Sequence, residues 1–161
     1  MGIVMIRPAT PADVPTIARL IRGLAEYEKL SHAVALEESR LHKHLFGPRP
    51  YAEVLLAEED GVVVGFALFF HSYSTFVCKP CIYLEDLFVI PESRGKGHGK
   101  GLLIALAKLA LERECGRVEW SVLNWNEPAI QFYKSLGAKP MDEWTVYRVT
   151  GEAMENLAVA R

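Results

Sequence analysis

The sequence predicts an α/β (α+β) chain, and three stretches carry that prediction. Val62 to Phe70 reads as a strand whose alternate side-chain sets, Val62-Val64-Phe66-Leu68-Phe70 and Val63-Ala67-Phe69, are both apolar. A strand buried on both faces belongs in the middle of a covered sheet. Tyr83 to Leu106, YLEDLFVIPESRGKGHGKGLLIAL, opens as another strand. Pro91 ends it, because proline donates no ladder hydrogen bond. A glycine-rich turn follows, and then Leu102, Leu103, Leu106, Leu109 and Ala110 recur at the spacing of one helix face. Val14, Ile17, Ala18, Ile21, Leu24 and Ala25 mark a second apolar helix face near the start of the chain.

Taken in order, Ile3 to Arg7 forms a first strand closed by Pro8. Thr10-Pro11-Ala12-Asp13 is a helix start, with Thr10 as cap, Pro11 in the first turn and Asp13 reaching back in a short-chain capping box. That helix ends near Tyr27. Glu26 and Glu28 lie at its C-terminal end, where acids oppose the dipole; they read as a solvated helix end or as an attraction for a cation. A second helix covers Leu36 to Phe46, stopped by Gly47-Pro48. His42 and His44 sit two apart within it, on different sides, and make a poor metal pair. Tyr51 to Glu58 is a strand, Glu59-Asp60-Gly61 a tight hairpin turn, and Val62 to Phe70 the central strand. A loop from His71 to Pro80 leads to the strand Cys81 to Ile90. The helix after the glycine turn runs to about Glu114, with Gly116 as its stop. Val118 to Val122 alternates as the next strand. Asn126 caps a short helix through Ile130, Phe132 and Tyr133 to Gly137. Trp144 to Val149 is a last strand, and Thr150 caps a closing helix to Ala158.

Composition narrows the function classes. A chain of 161 residues suits one domain, residues 1–161, able to bury about 70% of its unfolded surface. A net charge of −2 gives no electrostatic basis for nucleic acid. No apolar run approaches the roughly 20 residues that span a bilayer, so no membrane partner is expected. The start MGIVMIRPATPADV lacks the basic and apolar regions of a leader peptide. It begins Met-Gly, but Ile6 stands where an acylation signal wants Ser or Thr. A soluble cytoplasmic protein is the expectation. Cys78-Lys79-Pro80-Cys81 has redox or zinc spacing. It runs into a strand rather than a helix start, and Cys115 has no partner cysteine nearby, so reduced thiols and no metal are expected.

The chemistry concentrates in Arg94-Gly95-Lys96-Gly97-His98-Gly99-Lys100-Gly101. Strand, glycine turn and helix make an anion cradle, because glycines allow close backbone approach and the helix start offers free N–H groups. Neither the Walker A spacing nor the dinucleotide fingerprint fits, since Lys100 stands where each would need another residue pattern. Arg/Gln-x-x-Gly-x-Gly/Ala does fit, through Arg94, Gly97 and Gly99. Glu85 and Asp86 are adjacent acids in an apolar strand, expensive to bury without partners or a task; one reads as structural and the other as functional.

That loop, with the order of elements along the chain, resembles the GNAT family of N-acetyltransferases. IRPATPAD, LIRGLAEYEKL, YLEDLFV, RGKGHGKG and WNEPAIQFYKSLGA match more closely the diamine (spermidine/spermine) and thialysine branch. The resemblance implies the GNAT fold, a mixed central sheet of about six to seven strands flanked by helices on both faces. It implies acetyl-CoA as donor, direct transfer to a small amine, and a homodimer. Carried over by position, backbone groups of Leu87, Phe88 and Val89 pair with the pantetheine arm. Arg94 and the amides of Gly95, Lys96, Gly97, His98, Gly99, Lys100 and Gly101 hold the diphosphate, and Asn126 and Ala129 touch the cofactor at the next helix. Tyr133 is the general acid. Tyr27, Glu28 and Glu85 lie on the acceptor side.

The chemistry asks for such groups on its own account. An alkyl ammonium, with a pKa of about 10.4, must lose a proton before attacking a thioester. A carboxylate such as Glu85 can take it, through water, and a hydroxyl such as Tyr133 can protonate the departing thiolate. Tyr133 could equally be a packed aromatic beside Phe132. Two other activities share these features: acetylation of a protein lysine or N-terminus, and acyl-CoA binding without catalysis, which would need neither Glu85 nor Tyr133. Ser72 to Pro80, Glu119 to Ser121 and Asp142-Glu143 depart from the branch pattern, which leaves the identity of the amine open.

Overall fold

The computed structural model describes residues 3–161; the Met1-Gly2 start weighed above lies outside them. The chain divides into two compact units, one running to Leu123 and the other Asn124–Arg161.

The first unit is built on a five-stranded sheet in the order β1-β2-β3-β4-β5. Its strands are β1 (Met5–Pro8), β2 (Glu53–Glu59), β3 (Val62–Ser74), β4 (Lys79–Val89) and β5 (Val118–Trp120). The first four pair antiparallel and β5 joins β4 in parallel. The doubly apolar strand β3 is the central one, as its pattern predicts. It continues through His71–Ser74, which the sequence reads as loop. Main-chain pairing from Phe70↔Tyr83 to Ser74↔Lys79 carries the hairpin on regardless of side-chain polarity.

Register shows which side chains share a face, because directly opposed residues point the same way. Leu56, Phe66 and Phe88 are aligned across β2, β3 and β4. They meet Ile17, Leu20 and Leu24 of α1 (Val14–Tyr27) and Leu45 of α2 (Glu38–Phe46) in one buried cluster. On the other face Ala57 and Ala67 are fully buried, and α3 (His98–Glu112) sinks Leu102 and Leu106, each at 0% exposure. Each such leucine contributes about 1.5–3 kcal/mol on burial. Helices therefore cover both faces of the sheet.

Arg7 fastens the entry. Its guanidinium donates to both carboxylate oxygens of Asp13 at 2.8 and 2.9 Å and to Glu58 at 2.6 Å. Asp13 also accepts from the Thr10 N–H at 2.7 Å, the backward half of the predicted capping box. Arg7 holds the Asp13 carboxyl well below the usual carboxylate range, with the Thr10 bonds adding to the effect.

Two element ends differ from the sequence expectation. The chain passes α3 through Glu114, which takes the left-handed conformation at φ 56°; Gly116 is a point of close approach instead. A Cβ on Gly116 would stand 2.9 Å from Val77. β5 stops at Trp120 rather than Val122, where its ladder with β4 ends.

The second unit contains α4 (Glu127–Ser135) and α5 (Gly151–Ala158). Asn126 caps α4 by accepting from the Ala129 N–H at 3.4 Å. Trp144 to Val149, predicted as a strand, makes no ladder among the described residues, and Trp144, Val146 and Tyr147 are exposed. The sheet thus has five strands rather than six to seven. Alternating apolar residues supply strand propensity, but a strand also needs an edge to join.

Candidate active site

In the first unit the predicted groups gather around one irregularity of β4. Its ladder with β3 pairs Leu68 with Asp86 and Phe69 with Leu84, so Glu85 is passed over. Its ladder with β5 ends at Leu84↔Trp120, so beyond Leu84 β4 has no strand on that side among the described residues. A bulge of this kind re-aims a side chain and ends pairing. Here it does both at Glu85, whose side chain is exposed. The main-chain groups of Leu87 and Val89 point to the β5 side, where no strand pairs with them among the described residues, whereas those of Phe88 face β3, in phase with the Ile90 N–H that donates to the Val64 carbonyl.

The bulge also breaks the simple alternation of a strand, which would put Asp86 on one face with both Leu84 and Phe88: the partners of Asp86 and Leu84, Leu68 and Phe69, are neighbours in β3 and point oppositely. Asp86 faces the α1 and α2 side with Phe88. Burial, then the charges of Glu85 and Glu28, pushes its carboxyl up to about 6. Glu28, at the C-terminus of α1, is itself raised by burial. Glu28, Glu85 and Asp86 thus form a concentration of negative charge at the end of α1, and such a place favours a cation.

The glycine loop follows directly. Gly95 and Gly97 have φ of 77° and 90°, and a Cβ at either would meet nothing within 4 Å. Their conformation, rather than crowding, is what asks for glycine. Gly97 is the left-handed cap of α3, and the first helical bond runs from the Gly101 N–H to the Gly97 carbonyl at 2.8 Å. The N–H groups of His98, Gly99 and Lys100 precede that bond and have no intrahelical acceptor. This is the arrangement an anion at a helix start requires. The open space at the glycines and these amides fit the diphosphate of acetyl-CoA.

Arg94 donates from Nε to the Val89 carbonyl at 3.0 Å, and its guanidinium lies over the Tyr27 ring at 4.5 Å and the Phe88 ring at 5.5 Å. Tyr27, assigned by resemblance to the acceptor side, therefore also supports a loop residue through a cation–π contact. Lys96 and His98 both reach Glu59 at the end of β2. Glu59 was read only as a turn residue, and no local pattern in the sequence marks it otherwise. A groove of about 700 Å³ lined by Phe46, Tyr51, Phe70, His71, Leu109 and Arg113 contains none of the predicted site residues.

The second unit holds Asn126, Ala129 and Tyr133 on one short helix. Asn126 is buried and Tyr133 half-buried, its ring 5.7 Å from that of Phe132. Asn126 and Ala129 are joined by the cap bond at the start of α4, and Tyr133 follows one turn later.

Comparison with known proteins agrees with this geometry. The family model of the Acetyltransferase (GNAT) family matches residues 18–138. A thialysine N-epsilon-acetyltransferase from Bos taurus is 43% identical, over 98% of this chain and 99% of that protein. An L-ornithine N5-acetyltransferase from Arabidopsis thaliana is 36% identical, over 93% of this chain and 86% of its own. Among solved structures, an integron cassette protein from the mobile metagenome of V. cholerae superposes with a TM-score of 0.82 at 29% identity, covering 99% of both chains. The interrupted fourth strand, the glycine cradle and these likenesses agree: the chain belongs to the GNAT family and is an N-acetyltransferase.

Proposed function

We propose that the chain acetylates a primary amine of a small diamine, polyamine or lysine-like amino acid, with acetyl-CoA as donor. The observation that carries the acceptor assignment is the group of Glu28, Glu85 and Asp86 beside the bulge of β4, next to where its ladder with β5 ends. Three carboxyls at the rim of a site suit a substrate bearing a second cationic centre, which a diamine or a basic amino acid has. The similar thialysine and L-ornithine enzymes carry names of that substrate class.

Acetyl-CoA would supply the acetyl group as an activated thioester. In this reading the amides from Gly95 to Gly101, with Arg94, hold the diphosphate, and Leu87 and Val89, on either side of Phe88, offer main-chain groups to the pantetheine arm. Asn126 and Ala129 contact the same molecule. Glu85 accepts, through water, the proton that the ammonium must lose. The neutral nitrogen then forms the C–N bond as the C–S bond breaks, Tyr133 gives its hydroxyl proton to the departing sulfur, and the second proton, shed by the acylated nitrogen, restores the Tyr133 hydroxyl through solvent. Holding donor and acceptor together supplies much of the rate. The whole chain is proposed to act as a single acetyltransferase domain. The family match at 18–138 spans the boundary between the two compact units and supports this.

The enzyme is further proposed to be cytoplasmic and homodimeric. No described helix is long and apolar enough to cross a membrane. The exposed Trp144, Val146, Tyr147 and Leu157 are the apolar side chains a second copy would cover.

The test is thiol release from acetyl-CoA across a panel of spermidine, putrescine, ornithine, thialysine and lysine-containing peptides. Turnover on the small amines with none on peptides supports the assignment. Turnover confined to peptides refutes it.

A further inference from the structure

Glu59 is an odd neighbour for an anion cradle. A carboxylate beside bound diphosphate repels it, yet this one is turned toward the loop. The Lys96 ammonium donates to Glu59 Oε1 at 2.5 Å, and His98 Nε2 lies 3.3 Å from Oε2. Lys96 first, with Ser93 and His98 adding to the effect, holds the Glu59 carboxyl below its ordinary value. His98 is 2% exposed, and its Nδ1 is buried with no hydrogen-bond partner. A half-satisfied buried imidazole is a cost the fold must offset, so its contact with Glu59 is made at the expense of the other ring nitrogen.

Position explains what the contact does. Glu59 ends β2 immediately before the Asp60-Gly61 turn, where φ is 51° and 79° in sequence. A two-residue turn with both φ positive is the tight hairpin that matches strand twist, so the carboxylate stands on a rigid support. Ser93, Lys96 and His98 lie before, inside and at the end of the glycine loop. Glycines make that segment adaptable and therefore entropically expensive to fix. One carboxylate that meets it at two points, Lys96 and His98, fixes it in advance.

The geometry points to Glu59 as a positioning residue of the cofactor loop, holding Lys96 and His98 so that the loop amides are set for the diphosphate before acetyl-CoA arrives. The inference rests on the glycine-loop reading above and deepens it. Preorganisation of this kind governs cofactor affinity and leaves the transfer step alone.

The test compares the full-length protein with Glu59→Ala and the nearly isosteric Glu59→Gln. Binding of acetyl-CoA and of CoA is measured by calorimetry, with amide exchange of the loop followed in the free protein. Glu59→Ala is expected to weaken both ligands about tenfold and to speed exchange from Gly95 to Gly101, while kcat at saturating acetyl-CoA stays within about twofold. Glu59→Gln, which keeps an acceptor oxygen, should recover part of the affinity. The melting temperature of each variant separates loss of fold from loss of affinity, and Glu59→Gln keeps the comparison open if the alanine variant does not fold. Unchanged or tighter binding in both variants, or unchanged loop exchange, overturns the role. A wild-type protein that binds neither acetyl-CoA nor CoA overturns the glycine-loop reading itself, and this inference with it.

Discussion

Asp86 offers a prediction whose size and sign both follow from its surroundings. Its carboxyl is raised from an ordinary 3.8 to about 6, by burial first and then by Glu85 and Glu28. The folded protein therefore holds this proton over a range where the unfolded chain has released it. By linkage, stability is greatest below the unfolded value and is lost as pH rises through about 6. At about 1.36 kcal/mol per pH unit the loss amounts to about 3 kcal/mol at neutral pH. Asp86→Asn keeps the shape and removes the charge. It should raise stability at pH 8 by up to about 3 kcal/mol and leave it nearly unchanged at pH 4. For a chain of this length that is a rise of roughly 6–10 °C in melting temperature at pH 8. Urea titrations of both proteins at pH 4, 6 and 8 provide the assay. Equal destabilisation by Asp86→Asn at pH 4 and pH 8 would refute the reasoning. It would mean that Asp86 holds its place through a bond the amide cannot make.

Three further outcomes are expected. Tyr133→Phe should lower turnover at least tenfold, about 1.4 kcal/mol of barrier, with acetyl-CoA affinity barely changed; unchanged turnover removes Tyr133 from the reaction. Gly97→Val places a side chain at φ 90°, so thermal denaturation should show a loss of about 1–2 kcal/mol. Calorimetry should also show acetyl-CoA binding weakened more than about tenfold, because the loop amides move. At Gly65, by contrast, a Cβ would lie 2.8 Å from the Phe88 carbonyl oxygen and 3.0 Å from Val89. Gly65→Val should therefore cost about 3 kcal/mol or more in urea unfolding, as overpacking of a central strand does.

Much of this molecule can be read from its chain because the relevant signals are local. The doubly apolar run Val62 to Phe70, the Pro91 stop and the glycine alternation each declare themselves within a dozen residues, and each stands in the structure where it was expected. What escapes is set by partners far along the sequence. Trp144 to Val149 has the alternation of a strand and pairs with none among the described residues. His71 to Ser74 is too polar to suggest a strand, yet pairing with Lys79 to Ile82 holds it in one. Glu85 and Asp86 look alike as neighbours until the ladder passes over one of them. Asp86 then turns inward beside Phe88, while Glu85 is left exposed. Glu59 gave no sign because its partners, Lys96 and His98, come nearly forty positions later. Chemistry concentrated in one loop is visible in sequence; chemistry assembled across the sheet is not.

The Arg7 fastening bears on how the protein is made. Glu58, its partner across the sheet, comes off the ribosome 51 positions later, about 3–10 seconds at ordinary rates of synthesis. Asp13, six positions away, emerges almost at once. The nascent chain can therefore shape the entrance to α1 while β1 still waits for β2.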